Sequence, residues 1–247
     1  MIKFIDLSKK YPGAKDYALQ PTNMVIEPGK IIGFIGHNGA GKSTTLRMMT
    51  GILEPTTGDV TINGFSIKTQ ALEAKKQFGY VPDNADMFLK LTGLEYLNFI
   101  GTVYEVEDSV LKERISTLAE EYLMSDKLND LIDSYSHGMR QKIIVMGALV
   151  HEPSVFLLDE PLTGLDPVAS RFLKDSMKKH VEKGNTVLFS THVLEVAEKL
   201  CDEIIIINGG KFIYQGTLDA LKAKYPESES LEDIFFKITN SYDKATV

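Results

Sequence analysis

The sequence predicts an α/β fold. A mainly parallel sheet surrounds a phosphate-binding loop, with an antiparallel β layer toward the N-terminus and an inserted α-helical subdomain. Three observations carry this reading. Short apolar runs without polar alternation, such as residues 155–158 and 186–189, read as strands buried on both faces, and they alternate with helical stretches. Residues 36–44 read Gly-His-Asn-Gly-Ala-Gly-Lys-Ser-Thr directly after the apolar run 31–35. Residues 84–138 are charged and helix-patterned, with no strong strand signal.

The elements follow in order. Residues 2–7 and 18–26 read as short strands ahead of the loop. Residues 60–62 alternate and run into Asn63-Gly64, a hairpin signal, so these segments form the antiparallel layer. A helix is expected from Lys42 to Thr50, stopped by Gly51. Residues 78–81 form a short strand closed by Pro82. Residues 91–104 and 110–123 are the main helices of the insertion, and residues 136–150 form a further helix. Residues 203–207 and 211–214 flank Asn208-Gly209-Gly210 as a hairpin. Leu231, Ile234, Phe235 and Ile238 make one face of a C-terminal helix over about 230–240, expected to pack in the core or a dimer contact rather than on a membrane.

Composition bounds the function. The chain has 247 residues, with 43% hydrophobic and 25% charged residues, which is ordinary for a globular protein and enough for one large domain. The net charge of −7 argues against broad nucleic-acid binding, so no nucleic-acid partner is expected. The single cysteine, Cys201, leaves no intrachain disulfide and fits a reducing compartment. The longest apolar runs, 143–150 and 204–207, fall far short of the ~20 residues of a spanning helix. The N-terminus has no secretion-signal pattern, and a cytosolic location is expected.

The loop is where chemistry concentrates. A glycine, four residues, then Gly-Lys-Ser is the phosphate-cradling pattern. Glycines let successive N–H groups turn inward on phosphate oxygens, and the following helix aims its positive dipole end at the same anion. Gly36, His37, Asn38, Gly39, Ala40, Gly41 and Thr44 form the cradle. Lys42 supplies an ammonium for the β- and γ-phosphates, and Ser43 a hydroxyl for Mg²⁺. A buried strand ending in Asp159-Glu160 places both acids at the carboxyl edge of the sheet. There Asp159 holds Mg²⁺ and Glu160 polarises an attacking water. Ser190-Thr191-His192 follows another apolar strand, which puts His192 at the γ-phosphate. Ser136 is a good N-cap whose helix start forms a ready anion site. The remaining histidines show no metal spacing: His37 and His137 read as loop fillers within motifs, His151 and His180 as surface residues.

These pieces in this order identify the family. The chain resembles the ATP-binding subunit of an ATP-binding-cassette (ABC) transporter over nearly its whole length, a phosphate-loop NTPase core. Tyr135-Ser136-His137-Gly138-Met139 stands where the family carries Leu-Ser-Gly-Gly-Gln and departs from it at three positions. Thr163-Gly164-Leu165-Asp166 matches the loop after the catalytic Glu that touches the partner subunit. His192 matches the switch histidine, and Tyr11 the aromatic that stacks on adenine, a role that would also suit Tyr17. One departure stands out. The family's Pro-Gln pair after the strand 78–81 is replaced by Pro82-Asp83-Asn84; Asp83 is taken as the metal ligand, with Asn84 as the alternative.

The resemblance implies a single ABC-type ATPase domain over 1–247 with a helical subdomain at about 84–138. It implies ATP and Mg²⁺ as ligands, hydrolysis with Glu160, His192 and Lys42 as catalytic groups, and two ATP-binding subunits, identical or different, stacked head to tail. Each ATP then lies between residues 36–44 of one subunit and Ser136, His137, Gly138 and Asp166 of the other. It also implies a separately encoded permease, so that the chain sits on the inner face of the membrane through that partner. The variant signature and short tail resemble bacterial two-component exporters. An ABC ATPase acting on ribosome or DNA is the alternative, disfavoured by the absence of a long coiled-coil or Cys-cluster insertion.

Overall fold

The computed structural model describes residues 1–245, with side chains to residue 239. Two sheets share one core. The chain opens with β1 (Ile2–Lys9) and β2 (Leu19–Ile26), pairs that are antiparallel, and enters the phosphate loop from β3 (Ile31–Ile35). After α1 (Lys42–Met49), β4 (Thr57–Ile62) pairs antiparallel with β1 and turns at Asn63-Gly64 into β5 (Phe65–Ser66), completing a four-stranded layer. Asn63 takes the positive φ that this turn needs.

The second sheet collects the apolar runs. α2 (Ala71–Lys76) leads to β6 (Phe78–Val81); the helices α3 (Gly93–Val103), α4 (Asp108–Glu121) and α5 (His137–Leu149) intervene before β7 (Val155–Leu158). Then come α6 (Pro167–Glu182), β8 (Thr186–Thr191), α7 (Leu194–Leu200), β9 (Glu203–Asn208), β10 (Lys211–Thr217), α8 (Leu218–Lys224) and α9 (Leu231–Ala245). The order is β10-β9-β3-β8-β7-β6, parallel throughout except for β10. β3, β7 and β8 are buried at every residue, as strands covered on both faces must be. Register does the rest. Ile35 pairs with Thr191, and Leu158 pairs with both Phe189 and Val81, so β3, β8, β7 and β6 all end at one edge. Open α/β sheets bind ligands at such an edge.

The helical segment is locally well specified. Thr92 and Glu95 form a reciprocal capping box at the start of α3, Glu107 caps α4, and Ser136 caps α5. The segment is tied to the core where the Tyr122 hydroxyl meets Ser176 Oγ on α6 at 2.5 Å. β6 lies so close to α5 that a Cβ on Gly79 would sit 1.9 Å from the Ala148 carbonyl oxygen. Leu231, Ile234 and Phe235 of α9 are buried against Ile35, Ala197 and Leu221, so that stripe is core. Among the described residues no helix is long and apolar enough to cross a membrane. The span expected for the whole domain, 1–247, runs two residues past the described chain.

Some local expectations are corrected. β8 continues through Ser190 and Thr191, which therefore belong to the strand rather than to the loop after it. α2, α6, α7 and α8 have no counterpart in the reading above, although Asp166 and Pro167 are an N-cap and N1 pair. His180 is only 8% exposed: with Leu173, Ser176 and Met177 it forms the inner face of α6 and approaches Phe156 at 5.6 Å. His151 stacks on Tyr104 at 3.7 Å between ring centres, its Nε2 3.2 Å from the Phe78 carbonyl oxygen. Neither is a surface residue of the kind expected.

Burial holds both rings neutral and pushes each pKa down to about 4. A base with a lowered folded-state pKa favours the folded state fully above its unfolded value of about 6.5, and that stability is lost as pH falls toward 4. At full effect each ring contributes at most about 3 kcal/mol. His180→Leu is therefore expected to lose less stability than wild type between pH 7 and pH 4.5 in urea titrations; an identical acid dependence would contradict this.

Candidate functional site

The loop after β3 is shaped by close backbone contacts. Gly41 has φ +113°, and a Cβ there would lie 2.3 Å from the Ala18 carbonyl oxygen, so only glycine fits. Ala40 N–H closes the turn onto the His37 carbonyl at 3.1 Å. Asn38 and Gly39 are exposed at its crest. α1 starts at Lys42, whose side chain is 5% exposed and folds back over the loop. Its Nζ donates to the carbonyls of Gly36 at 2.7 Å and His37 at 3.2 Å and lies 3.3 Å from Glu160 Oε1. Tyr11 Oη is 3.3 Å from Thr44 Oγ1, which brings its half-exposed ring to the loop, whereas the Tyr17 ring lies against the Lys10 ammonium.

Asp159 is fully buried at the end of β7. Its Oδ1 accepts from Ser43 Oγ at 2.9 Å and from Ser190 Oγ at 2.7 Å. Ser190 Oγ in turn accepts the Glu160 N–H at 2.8 Å. The other oxygen, Oδ2, is buried with no hydrogen-bond partner among the described residues. Burial raises the Asp159 pKa above the ordinary carboxylate value, opposed by the two serine hydrogen bonds. Glu160 sits at φ 46°, an uncommon conformation for a side chain of its size, held by the bond from its N–H to Ser190. Its Oε2 is 2.9 Å from His192 Nδ1, while Oε1 faces Lys42.

The donor set fits a small hard cation. A buried, unpartnered carboxylate oxygen and an adjacent serine hydroxyl are oxygen ligands of the kind Mg²⁺ takes. Among the described residues no three His, Cys, Asp or Glu side chains converge to hold an ion alone. Asp83 stands at the rim, half exposed, its Oδ1 3.8 Å from Arg47 Nη2. The Asn84 amide is engaged in its own turn, accepting the Asp86 N–H at 2.8 Å.

A second group of expected residues forms its own cluster. Ser136 Oγ accepts the Met139 N–H at 3.3 Å, and Asp166 caps α6 by accepting from Val168 and Ala169 at 2.8 and 2.9 Å. A Cβ on Gly138 would lie 3.3 Å from Asp166 Oδ2, and one on Gly164 3.6 Å from His137 Nε2. The loop 163–166 and the start of α5 are thus neighbours. Among the described residues no hydrogen bond or ion pair joins them to residues 36–44.

Two participants were not read from sequence, and a third makes a contact beyond those expected of it. Ser190 clamps both acids, yet it looked like an ordinary residue between a strand and His192. Arg47 meets Asp83. His37 is more than filler: its ring packs edge-on against Phe235 of α9 at 4.7 Å, tying the C-terminal helix to the loop. Contacts between such distant segments leave no local pattern.

A glycine cradle at a helix start, with a buried Asp and a His-paired Glu at the same sheet edge, is the chemistry of a phosphate-loop nucleoside triphosphatase. The ABC transporter family profile matches residues 19–163. The ABC transporter ATP-binding protein NatA of Bacillus subtilis is 35% identical over 237 residues, 95% of each chain. A solved ATP-binding subunit of an ABC transporter superposes with TM-score 0.90 at 31% identity, covering 97% of this chain and 99% of that one. A dimeric ATP-binding cassette in a post-hydrolysis state with ADP and Pi superposes with TM-score 0.78 at 25% identity, covering 88% and 99%. The chain belongs to the ABC transporter family as one of its ATP-binding, ATP-hydrolysing subunits.

A buried carboxylate with one oxygen unsatisfied costs stability in the nucleotide-free chain. Asp159→Asn is expected to raise unfolding stability by about 1–2 kcal/mol without ligand while abolishing ATP-dependent phosphate release. Calorimetry and a phosphate assay on one preparation check this; a destabilised variant would contradict the cost assigned to the unpartnered oxygen.

Proposed function

We propose that this chain powers a separately encoded membrane permease, in the direction of export, by closing and opening a pair of ATP-binding subunits. The observation that carries the reading is the arrangement of Glu160. One oxygen faces Lys42 and the other His192 Nδ1, all beside the phosphate loop. A carboxylate held this way is placed to take a proton from water while the two basic side chains hold the γ-phosphate.

The residue roles follow from position. Backbone N–H groups of Gly36, His37, Asn38, Gly39, Ala40 and Gly41 cradle the phosphates, with Thr44 at the helix start. Lys42 leaves the Gly36 and His37 carbonyls for the β- and γ-phosphates. Tyr11 stacks on adenine. Ser43, Asp159 and Asp83 are the protein groups that would hold Mg²⁺, which when bound neutralises charge on the phosphate oxygens. Water attacks the γ-phosphorus as Glu160 takes its proton, and the bond to the bridging oxygen breaks, leaving ADP with the electron pair. His192 keeps the γ-phosphate and Glu160 in line.

One copy flanks the phosphates on one side only. Among the described residues the cluster of Ser136, His137, Gly138 and Asp166 makes no hydrogen bond or ion pair with its own loop, and it suits the ATP of a second copy, identical or not. There Ser136 exchanges its capping bond for the γ-phosphate, and Gly138 permits close approach. ATP then bridges the pair and hydrolysis releases it, a two-state element able to move a partner. The single ATPase domain comprises 1–247, with the helical subdomain at about 84–138 docking the permease and holding the chain on the inner membrane face. No nucleic acid takes part.

Glu160→Gln tests this. Tagged and purified from membranes in mild detergent with ATP, it is expected to hold ATP, to sediment as a dimer, and to carry a membrane polypeptide with it. Turnover should fall by about 10²- to 10⁴-fold. Normal turnover, or a variant that holds ATP yet stays monomeric, would overturn the reading.

A further inference from the structure

Ser43 and Arg47 stand one turn apart on α1 and so share a face. Ser43 Oγ reaches Asp159 at 2.9 Å; Arg47 Nη2 lies 3.8 Å from Asp83 Oδ1. The two acids are themselves neighbours. Val81 pairs with Leu158, the Asp159 N–H donates to the Val81 carbonyl at 2.9 Å, and Asp83 follows two residues after Val81. One helix face thus meets two adjacent carboxylates with different groups. The hydroxyl leaves the charge of Asp159 in place. The guanidinium balances that of Asp83, and it is the one cation in ion-pair reach of it among the described residues. The side chains of this pair are 45% and 51% exposed, so the contact is weak and open to exchange. Such a pair suits a carboxylate that must change partners.

We propose that Arg47 is a positioning residue for Asp83: it holds this carboxylate at the rim of the phosphate site, and a divalent cation arriving with ATP competes with the guanidinium for it. The inference rests on the reading of Asp83 as a metal-side carboxylate. It gives the loop after β6 two states. With the cation bound, Asp83 is turned to it and Arg47 is free; when the cation leaves, Arg47 recaptures the carboxylate. Arg140 of α5 pairs with Asp86 in the same loop at 2.6 Å, and also reaches the Asp133 carbonyl at 2.7 Å. The exchange at Asp83 is therefore connected to the helix that Ser136 caps.

The test is Mn²⁺ binding with a non-hydrolysable ATP analogue, reading free Mn²⁺ by electron paramagnetic resonance and the analogue by its own fluorescence. Arg47→Gln is expected to tighten Mn²⁺ about fivefold, the size of removing a competing ion-pair partner together with its charge at a protein surface. Arg47→Lys restores wild-type affinity, and in an Asp83→Asn background Arg47→Gln tightens Mn²⁺ by about twofold or less, because Arg47 then acts only through its field at Asp159. Unchanged or weaker Mn²⁺ binding in Arg47→Gln overturns the proposal. So does equal tightening in the Asp83→Asn background, which would make Arg47 a remote charge only. Loss of the fluorescence signal in the wild-type chain would instead defeat the reading of the nucleotide site, and this inference with it.

Discussion

The Asp159 carboxylate is where the separate parts of this molecule are tied together. One oxygen takes a hydroxyl from α1 and another from β8, while its own strand lies between β6 and β8. Through Ser190 the same junction fixes the backbone of Glu160, and through Glu160 it orients His192 and Lys42. A charged group so deeply buried is costly unless its lone pairs are met, and here one oxygen is left over. Protein neighbours satisfy one oxygen of the group and leave the other without a partner among the described residues. Beside it, Glu160 keeps a positive φ through its N–H bond to Ser190, and Lys42 folds back onto the Gly36 and His37 carbonyls.

Much of this was legible because chemistry and strand ends coincide. Unbroken apolar runs at 31–35, 155–158 and 186–189 specify buried parallel strands, and polar residues directly after them fall at one edge. The helical segment was legible from its charged, helix-like pattern and from the Ser136 cap. The illegible features are tertiary. His180 is buried because α6 turns that face inward, which could have been found from Asp166-Pro167 and the Leu173–Met177–His180 spacing. His37 meeting Phe235, and Arg47 meeting Asp83, depend on segments that only the fold brings together. Ser190 lacked any signal, since a serine at a strand end is ordinary until its neighbours are known.

The two clusters of site residues have opposite character. The one around residues 36–44 is cross-linked and built on buried strand ends, with Asn38 and Gly39 exposed at its crest. The one around Ser136 and Asp166 rests on helix caps, where side chains serve local N–H groups and can be drawn off by a stronger acceptor or donor. α9 braces the first through His37 and packs with α7, the helix that follows His192. Under the proposed pairing of two subunits, rigid and exchangeable halves suit a site that is completed and dismantled in each cycle.

The most direct measurement is the crystal structure of the chain with Mn²⁺ and a non-hydrolysable ATP analogue, with the metal located by its anomalous signal. If Asp159 is the junction described, the peak lies beside Ser43 Oγ, in direct or water-bridged reach of Asp159 Oδ2, with Ser190 still bonded to Asp159 Oδ1 and still holding the Glu160 N–H. Metal bound elsewhere, with Asp159 Oδ2 still unpartnered, would contradict it.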